Sequence, residues 1–252
     1  MFIEERKNKI VEYINDVEKA TIEDIMSLLK VSRTTVRRDL IDLEKNNLIL
    51  RTRGGLLKKQ YFKYEVSLKE KKDLYTNEKK KIAEIAKKYI NDEDVIYITG
   101  GTTTLELAKI LHDKKKLIVF TNAINIALEL INNSNIEIKI IGGNFREKTF
   151  SMVGQDTIDH ISKYNFDKIF LGVNGVTNKI LTTPNELESV VDSKALEKSK
   201  EAYVLADETK FGSIAYSTIC DIEAVNYIIT NTKPDSHFIE EVSKKGVTVL
   251  YK

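Results

Sequence analysis

The sequence predicts an α/β protein in two parts: an N-terminal winged helix-turn-helix and a C-terminal α/β domain built on a mostly parallel sheet. Three observations carry this. Two short amphipathic helices with capping residues occupy positions 21 to 40, an arginine-bearing ribbon with two glycines follows them, and from about residue 95 apolar runs alternate with helical segments. Strand–helix alternation implies parallel strands covered by helices on both faces.

The first helix is expected from Glu4 to Asn15. In the next, Ile22, Ile25, Leu28 and Leu29 recur at helical spacing and are expected to face a core. Thr21 is a suitable N-cap, and Asp24 three residues later approximates a capping box. A break at Lys30 to Ser32 leads to a helix capped by Ser32, with Val36, Leu40 and Leu43 inward. That phase turns Arg33, Thr34, Thr35, Arg37 and Arg38 outward near the helix start, the end that a recognition helix inserts into the major groove. Arginine suits the task because its planar fork engages guanine or phosphate in a bidentate way. Leu48 to Leu57 reads as a β-ribbon turning at Gly54-Gly55, and its Arg51 and Arg53 are placed to reach phosphates or a minor groove. A helical hairpin with a solvated basic face would explain the charges alone. The preceding helix, the capped pair and the ribbon together favour DNA reading, with Ser32, Arg33, Thr34, Thr35, Arg37, Arg38, Arg51 and Arg53 as its residues.

Residues 1–57 are therefore expected to form the DNA-binding domain, 58–77 a charged, partly helical linker, and 78–252 the α/β domain. In the last, a helix from Glu78 to Tyr89 precedes strands at Val95–Thr99, Leu117–Thr121, Ile136–Ile141, Lys168–Gly172, Ala202–Ala206, Tyr227–Thr230 and Val247–Tyr251. Helices are expected near 103–112, 123–132, 155–163, 186–200 and 235–245.

Composition is consistent with an ordinary soluble protein: 252 residues, 42% hydrophobic and 31% charged. No run approaches the length of a membrane span, and Glu4 and Glu5 argue against a signal peptide, so a cytoplasmic location is expected. The lone Cys220 lies in a mixed apolar stretch and is read as packing. The net charge of +2 hides an asymmetry, because residues 1–72 hold 17 basic and 12 acidic side chains. The excess is modest, which points to a homo-oligomer, a dimer or tetramer, engaging a repeated operator in double-stranded DNA.

Ligands of parallel sheets bind beyond the carboxyl ends of the strands. There this chain carries Thr99-Gly100-Gly101-Thr102-Thr103-Thr104, in which glycines allow a tight turn and threonines open a helix. Helix-start amides and hydroxyls suit an anion, although a plain strand–helix turn would use the same residues. The run is neither a Walker A loop nor a dinucleotide fingerprint. Other strand ends add Asn122, Gly142, Gly143, Asn174, Gly175 and Asp207, with Lys210 as a second phosphate or carbonyl ligand. Glu186, Glu188 and Asp207 are candidate acceptors for hydroxyls. No metal site, cofactor or catalytic residue is expected.

Arg6, Ser32–Leu40 and Arg51–Gly55 together resemble the N-terminal signature of DeoR-type transcriptional regulators. Gly101–Thr104, Thr121-Asn122, Ile141–Gly143, Leu171–Gly175, Leu181–Thr183 and Ala206–Gly212 are similar to the sensor domain of that family in order and spacing. The resemblance covers nearly the whole chain. It implies a sensor fold similar to ribose-5-phosphate isomerase, a phosphorylated sugar or related intermediate as effector, and repression of a carbohydrate catabolic operon. Two positions depart from it: Thr99 stands where the family commonly has aspartate, and Arg53 where histidine is common. The competing expectation is a sugar-phosphate isomerase with a DNA-binding appendage, in which Glu186, Glu188, Asp207 and Lys210 supply the acid–base groups.

Overall fold

The chain folds as two units, Met1–Gln60 and Tyr61–Lys252. The computed structural model describes residues 3–17, 19–45, 49–52, 55–58 and 65–252. In the first unit the order is α1 (Ile3–Val17), β1 (Lys19–Ala20), α2 (Ile22–Leu29), α3 (Arg33–Lys45), β2 (Ile49–Thr52) and β3 (Gly55–Lys58). The strands pair antiparallel in the order β1-β3-β2, the winged form of the helix-turn-helix. β1, two residues long, is too short to leave a period in the sequence.

Local chemistry sets the helix boundaries. Thr21 Oγ1 accepts the Asp24 amide at 3.1 Å while the Asp24 carboxylate accepts the Thr21 amide at 2.7 Å. Lys30, left-handed at φ 53°, ends α2, and its amide donates to Met26 O at 2.8 Å. The Ser32 hydroxyl then accepts the Thr35 amide at 3.3 Å. Ile10 and Ile14 of α1, Ile25 and Leu29 of α2, Val36, Leu40 and Leu43 of α3, Ile49 and Leu56 form the core. Leu28, expected in that core, is 43% exposed. At about 100° per residue it falls well outside the stripe through Ile22, Ile25 and Leu29, and a two-turn helix buries only one stripe.

The second unit begins with α4 (Leu68–Lys71) and α5 (Thr76–Lys87). It continues through β4 (Val95–Ile98), α6 (Thr102–Lys109), β5 (Leu117–Thr121), α7 (Ile124–Leu130) and β6 (Ile136–Ile140). A hairpin of β7 (Asn144–Arg146) and β8 (Ser151–Val153) precedes α8 (Gln155–Ile161), β9 (Phe166–Gly172), β10 (Gly175–Val176) and β11 (Ile180–Thr183). Then come α9 (Glu186–Glu197), β12 (Ser199–Leu205), a short 3-10 turn at Glu208–Lys210, β13 (Ser217–Asp221), β14 (Tyr227–Ile229), α10 (Ser236–Lys244) and β15 (Thr248–Leu250). Seven strands make one sheet in the order β15-β14-β12-β9-β4-β5-β6, parallel throughout.

Alternation along the strands feeds two cores. Tyr97, Phe166, Ile169 and Val204 pack with Val191 and Ala195 of α9 and Val242 of α10. Ile96, Ile98, Phe170 and Tyr203 pack with Ile82 of α5, Leu107 of α6 and Ile126 of α7. Both sheet faces are thus covered, as the near-continuous apolar runs require. Cys220 is partly buried against the first of these cores. The β7–β8 hairpin and the antiparallel sheet β10-β11-β13 were not expected, because segments such as Asn144–Arg146, Gly175–Val176 and Ser217–Asp221 lack the apolar run that marks main-sheet strands of the same length.

From β4 the chain moves outward through β5 and β6, then returns to β9 on the other side of β4 and continues through β12, β14 and β15. The reversal between β4 and β9 is a topological switch point, which opens a crevice at their carboxyl ends. Part of the expected linker also belongs here. Ser67 and Glu70 form a capping box at α4, and the Leu68 amide donates to Lys148 O at 2.9 Å. Residues 59–64 of that linker lie outside the described residues. Among the described residues no helix is long and apolar enough to cross a membrane.

Candidate DNA-reading helix and effector site

Burial of Val36 and Leu40 fixes the phase of α3 and leaves Arg33, Thr34, Arg37 and Arg38 exposed, with Thr35 half-buried. Exposed Ser32 places its hydroxyl 2.9 Å from Thr34 Oγ1 and 3.0 Å from Thr35 Oγ1. Arg33 lies 3.4 Å from the Glu23 carboxylate, but both are open to water, so the pair is weak and Arg33 can exchange it for phosphate. Arg51 is on β2; its side chain, Arg53 and Gly54 lie outside the described residues.

α3 is braced from below. Arg6 on α1 makes a bidentate pair with Asp39 through Nε and Nη2, the latter at 2.8 Å, and Lys7 donates to Asp42 at 2.8 Å. Asp39 is almost wholly buried, and hydrogen bonding to it raises the Arg6 pKa. The fork therefore sets the rotation and height of the recognition helix.

In the second unit, Gly101 is the N-cap of α6 and supplies no capping side chain, so no side chain satisfies the first-turn amides at Thr102–Thr104. Thr103 and Thr104 are buried, and Thr104 Oγ1 donates to Gly101 O at 3.2 Å. Thr99 is fully buried and its Oγ1 accepts the Gly172 amide at 3.0 Å, stitching β4 to β9 across the switch point. A Cβ on Gly100 would stand 3.4 Å from Ala123 Cβ and 3.5 Å from Ser151 Cβ, so this loop lies hard against the β7–β8 hairpin.

Beyond β12, Asp207 is buried and accepts from the Thr209 amide at 3.0 Å and from the Thr209 hydroxyl. Lys210 Nζ lies 3.2 Å from Asp207 Oδ2 and donates to Thr209 Oγ1 at 2.8 Å. Burial works to raise the Asp207 pKa, yet Lys210 and Thr209 outweigh it and hold the carboxyl below its usual range. Its Oδ2 has no aligned donor among the described residues, which leaves a buried acceptor for a ligand hydroxyl.

Two lysines from the expected linker and from α5 complete the site, Lys71 and Lys79. Burial, then the nearby Lys210, pushes the Lys71 amine down to about 8. Burial likewise pushes Lys79 down to about 8, opposed by Asp207 and reinforced by Lys210 and Lys71. Lys79 Nζ donates to Lys71 O at 2.7 Å and to Leu74 O. Lys71, Lys79 and Lys210 thus repel one another, a charge concentration that an anion would relieve. These lysines were missed because a lysine-rich stretch reads as solvated surface; a lysine at an inward position of the α5 pattern was the available signal.

Glu188 on α9, whose charge acts on Lys71, accepts from Thr149, from Ser151 Oγ at 3.1 Å and from Arg146 Nη1 at 3.4 Å. Arg146 also forks onto the buried Glu65. The remaining expected residues make other contacts. Asn122 Nδ2 donates to Met152 O at 2.8 Å, while its buried Oδ1 has no partner among the described residues. Gly142 O accepts Thr157 Oγ1 at 3.0 Å, and Gly143, at φ 151°, leaves room for that threonine, whose Oγ1 would be 1.9 Å from a Cβ. The Asn174 amide donates to Thr182 O at 3.0 Å, and Gly175 is packed against Ser213 and Thr182. Glu186 is exposed at the start of α9. The carboxylates that an isomerase would use as a base, Asp207 and Glu188, are engaged by local donors.

The first unit matches the DeoR-like helix-turn-helix domain over residues 6–60, and the second matches the DeoR C terminal sensor domain over 75–232. Among curated relatives, the HTH-type transcriptional repressor GlcR of Bacillus subtilis (strain 168) is 32% identical over 99% of this chain and 96% of its own length. The lactose phosphotransferase system repressor of Lactococcus lactis subsp. lactis is 34% identical over 95% of each chain. A solved D-ribose-5-phosphate isomerase overlaps more loosely, with a TM-score of 0.40 and 21% identity over 53% of this chain and 52% of that one. Helix-turn-helix and sensor domain, in this order over almost the full length, make the chain a member of the DeoR family of transcriptional regulators.

Proposed function

We propose that the protein represses a carbohydrate catabolic operon and is controlled by a phosphorylated sugar bound at the switch-point crevice. The carrying observation is that Lys71, Lys79 and Lys210 act on one another, with Asp207 and Glu106 of α6 also facing Lys79, while no side chain caps the start of α6 at Thr102–Thr104. The phosphate takes the amides and ammonium groups. Asp207, Glu188 and Asn122 take hydroxyls, and Thr99, Gly100, Gly101, Gly142, Gly143, Asn174, Gly175 and Glu186 shape or border the loops around them. DNA contacts come from Ser32, Arg33, Thr34, Thr35, Arg37 and Arg38, with Arg51 and Arg53 on the ribbon. Two or more copies acting together in the cytoplasm supply the affinity that one modestly basic domain lacks.

A thermal-shift screen of the full chain against phosphorylated sugars tests this, because a ligand of the native state raises its stability. One sugar phosphate is expected to raise the melting temperature, to lose that effect in Lys210→Ala, and to change binding to a DNA fragment from the neighbourhood of the gene. No fragment bound above non-specific levels at moderate salt, or no phosphate-dependent shift, would sink the reading.

A further inference from the structure

Glu65 lies near the start of the sensor unit, which begins at Tyr61 directly after the DNA-binding unit ends at Gln60. It is 8% exposed, and both its oxygens are held by the Arg146 guanidinium, with Lys148 Nζ at 3.7 Å. Lys71, six residues further on, feels the charges of Glu65, Glu188 and Lys210 together. One carboxylate near the start of the sensor unit is thus held by an arginine that reaches the Gly100 loop through Thr149, its Nη1 3.4 Å from Thr149 Oγ1, and it shares the field of Lys71, a lysine assigned to the phosphate.

We propose that Glu65 is a built-in stand-in for the effector's anionic group. A bound phosphate competes with it for Arg146 and Lys71, releases the carboxylate, and so loosens residues 65–71. The proposal rests on the anion-site reading above and adds how that site reaches the connecting segment. Arginine forks onto carboxylate and phosphate with the same geometry, and a phosphate carries more charge, so exchange is favoured once the ligand is held by the helix start as well. Two arrangements of one segment, differing in which anion occupies the basin, give the ligand the differential affinity that switching requires. The reporter amides are in place: Leu68 donates to Lys148 O at 2.9 Å, Lys71 to Ser67 O at 3.0 Å and Lys72 to Leu68 O at 3.0 Å.

The test uses the full chain, inorganic phosphate as the probe, and the variants Glu65→Gln and Glu65→Asp. Calorimetric titration gives phosphate affinity, and hydrogen exchange follows the amides of 65–72. Glu65→Gln is expected to bind phosphate roughly tenfold tighter, on the order of one charge-assisted hydrogen bond of competition removed. Its amides at 65–72 should exchange without phosphate as fast as those of the phosphate-loaded wild type. Glu65→Asp, which keeps the charge with a shorter reach, should fall between the two. Phosphate binding to the wild type with unchanged or slower exchange at 65–72 overturns the stand-in and leaves the anion site intact. So does equal or weaker phosphate binding by Glu65→Gln. Absence of phosphate binding in both proteins overturns the site and the stand-in together.

Discussion

The Arg6–Asp39 fork gives the sharpest prediction about the DNA-binding unit. Replacing Arg6 with methionine keeps most of the side-chain volume but leaves the Asp39 carboxylate, 3% exposed, without its cation. Removing one partner of a buried pair costs about 3–5 kcal/mol, because the remaining charge stays desolvated and unpaired. Arg6 itself is 12% exposed at its side chain, so water can partly reach the vacated position, and the lower end of that range, about 3 kcal/mol, is expected here. For a domain of about 60 residues each kcal/mol moves the melting temperature by roughly 4–8 °C, so the shift should exceed ten degrees. Scanning calorimetry of the full chain should show the unit at residues 1–60 melting earlier while the sensor transition stays in place. The double variant Arg6→Met with Asp39→Leu should recover most of the loss, since a buried ion pair is often no better than an apolar pair of similar volume. A single variant melting within two or three degrees of wild type would refute the reasoning, showing that the fork contributes no more than an exposed salt bridge.

Arg38→Ala should weaken operator binding and reduce its salt slope by about one if the lost contact is to phosphate, with sensor melting unchanged. A slope equal to that of wild type in salt-titrated binding would place Arg38 away from the DNA backbone. Lys71 and Lys79 titrate near 8 against 10.5 for a free lysine, so between these values the unfolded chain binds more protons than the folded one. Their contribution to sensor stability is therefore expected to rise with pH from about 8 to 10.5. Phosphate affinity should fall over the same interval as the ammonium groups lose charge; calorimetric titrations at pH 7 and 9.5 check it. Gly175→Ala would place a Cβ 2.3 Å from Ser213 O and 2.4 Å from Thr182 Oγ1. Overpacking of about 1–3 kcal/mol should appear as a lower sensor melting temperature.

Much of the fold was legible because the features responsible are local. The capping box at Thr21 and Asp24, the break at Lys30 and the inward phase of Val36, Leu40 and Leu43 each depend on neighbours within one or two turns. Leu28 marks where this ends: helical spacing put it on the apolar face, yet two turns of helix had only one partner surface to bury against. In the sensor domain the continuous apolar strands were readable, even the three-residue β14, and the mixed ones, such as β7, β10 and β13, were not. Glycines behaved similarly. Gly142 has open space where a side chain would go, whereas Gly143 and Gly175 make room for Thr157 and Ser213, a distinction that spacing does not carry.

By itself the sequence determined that a basic helix-turn-helix precedes a parallel α/β domain with glycine- and threonine-rich strand ends. Those properties follow from periodicity, capping and turn chemistry, all short-range. Only the tertiary structure decided which distant residues meet. The switch between β4 and β9 joins Thr99 to Gly172, and the β7–β8 hairpin carries Arg146 onto Glu65, 81 residues away in sequence. Packing of α4 and α5 turns Lys71 and Lys79, from a stretch that reads as solvated, toward Lys210 and Asp207. A charge becomes a binding group only when burial and a distant neighbour give it a reason to hold an anion, and both are set by the fold as a whole.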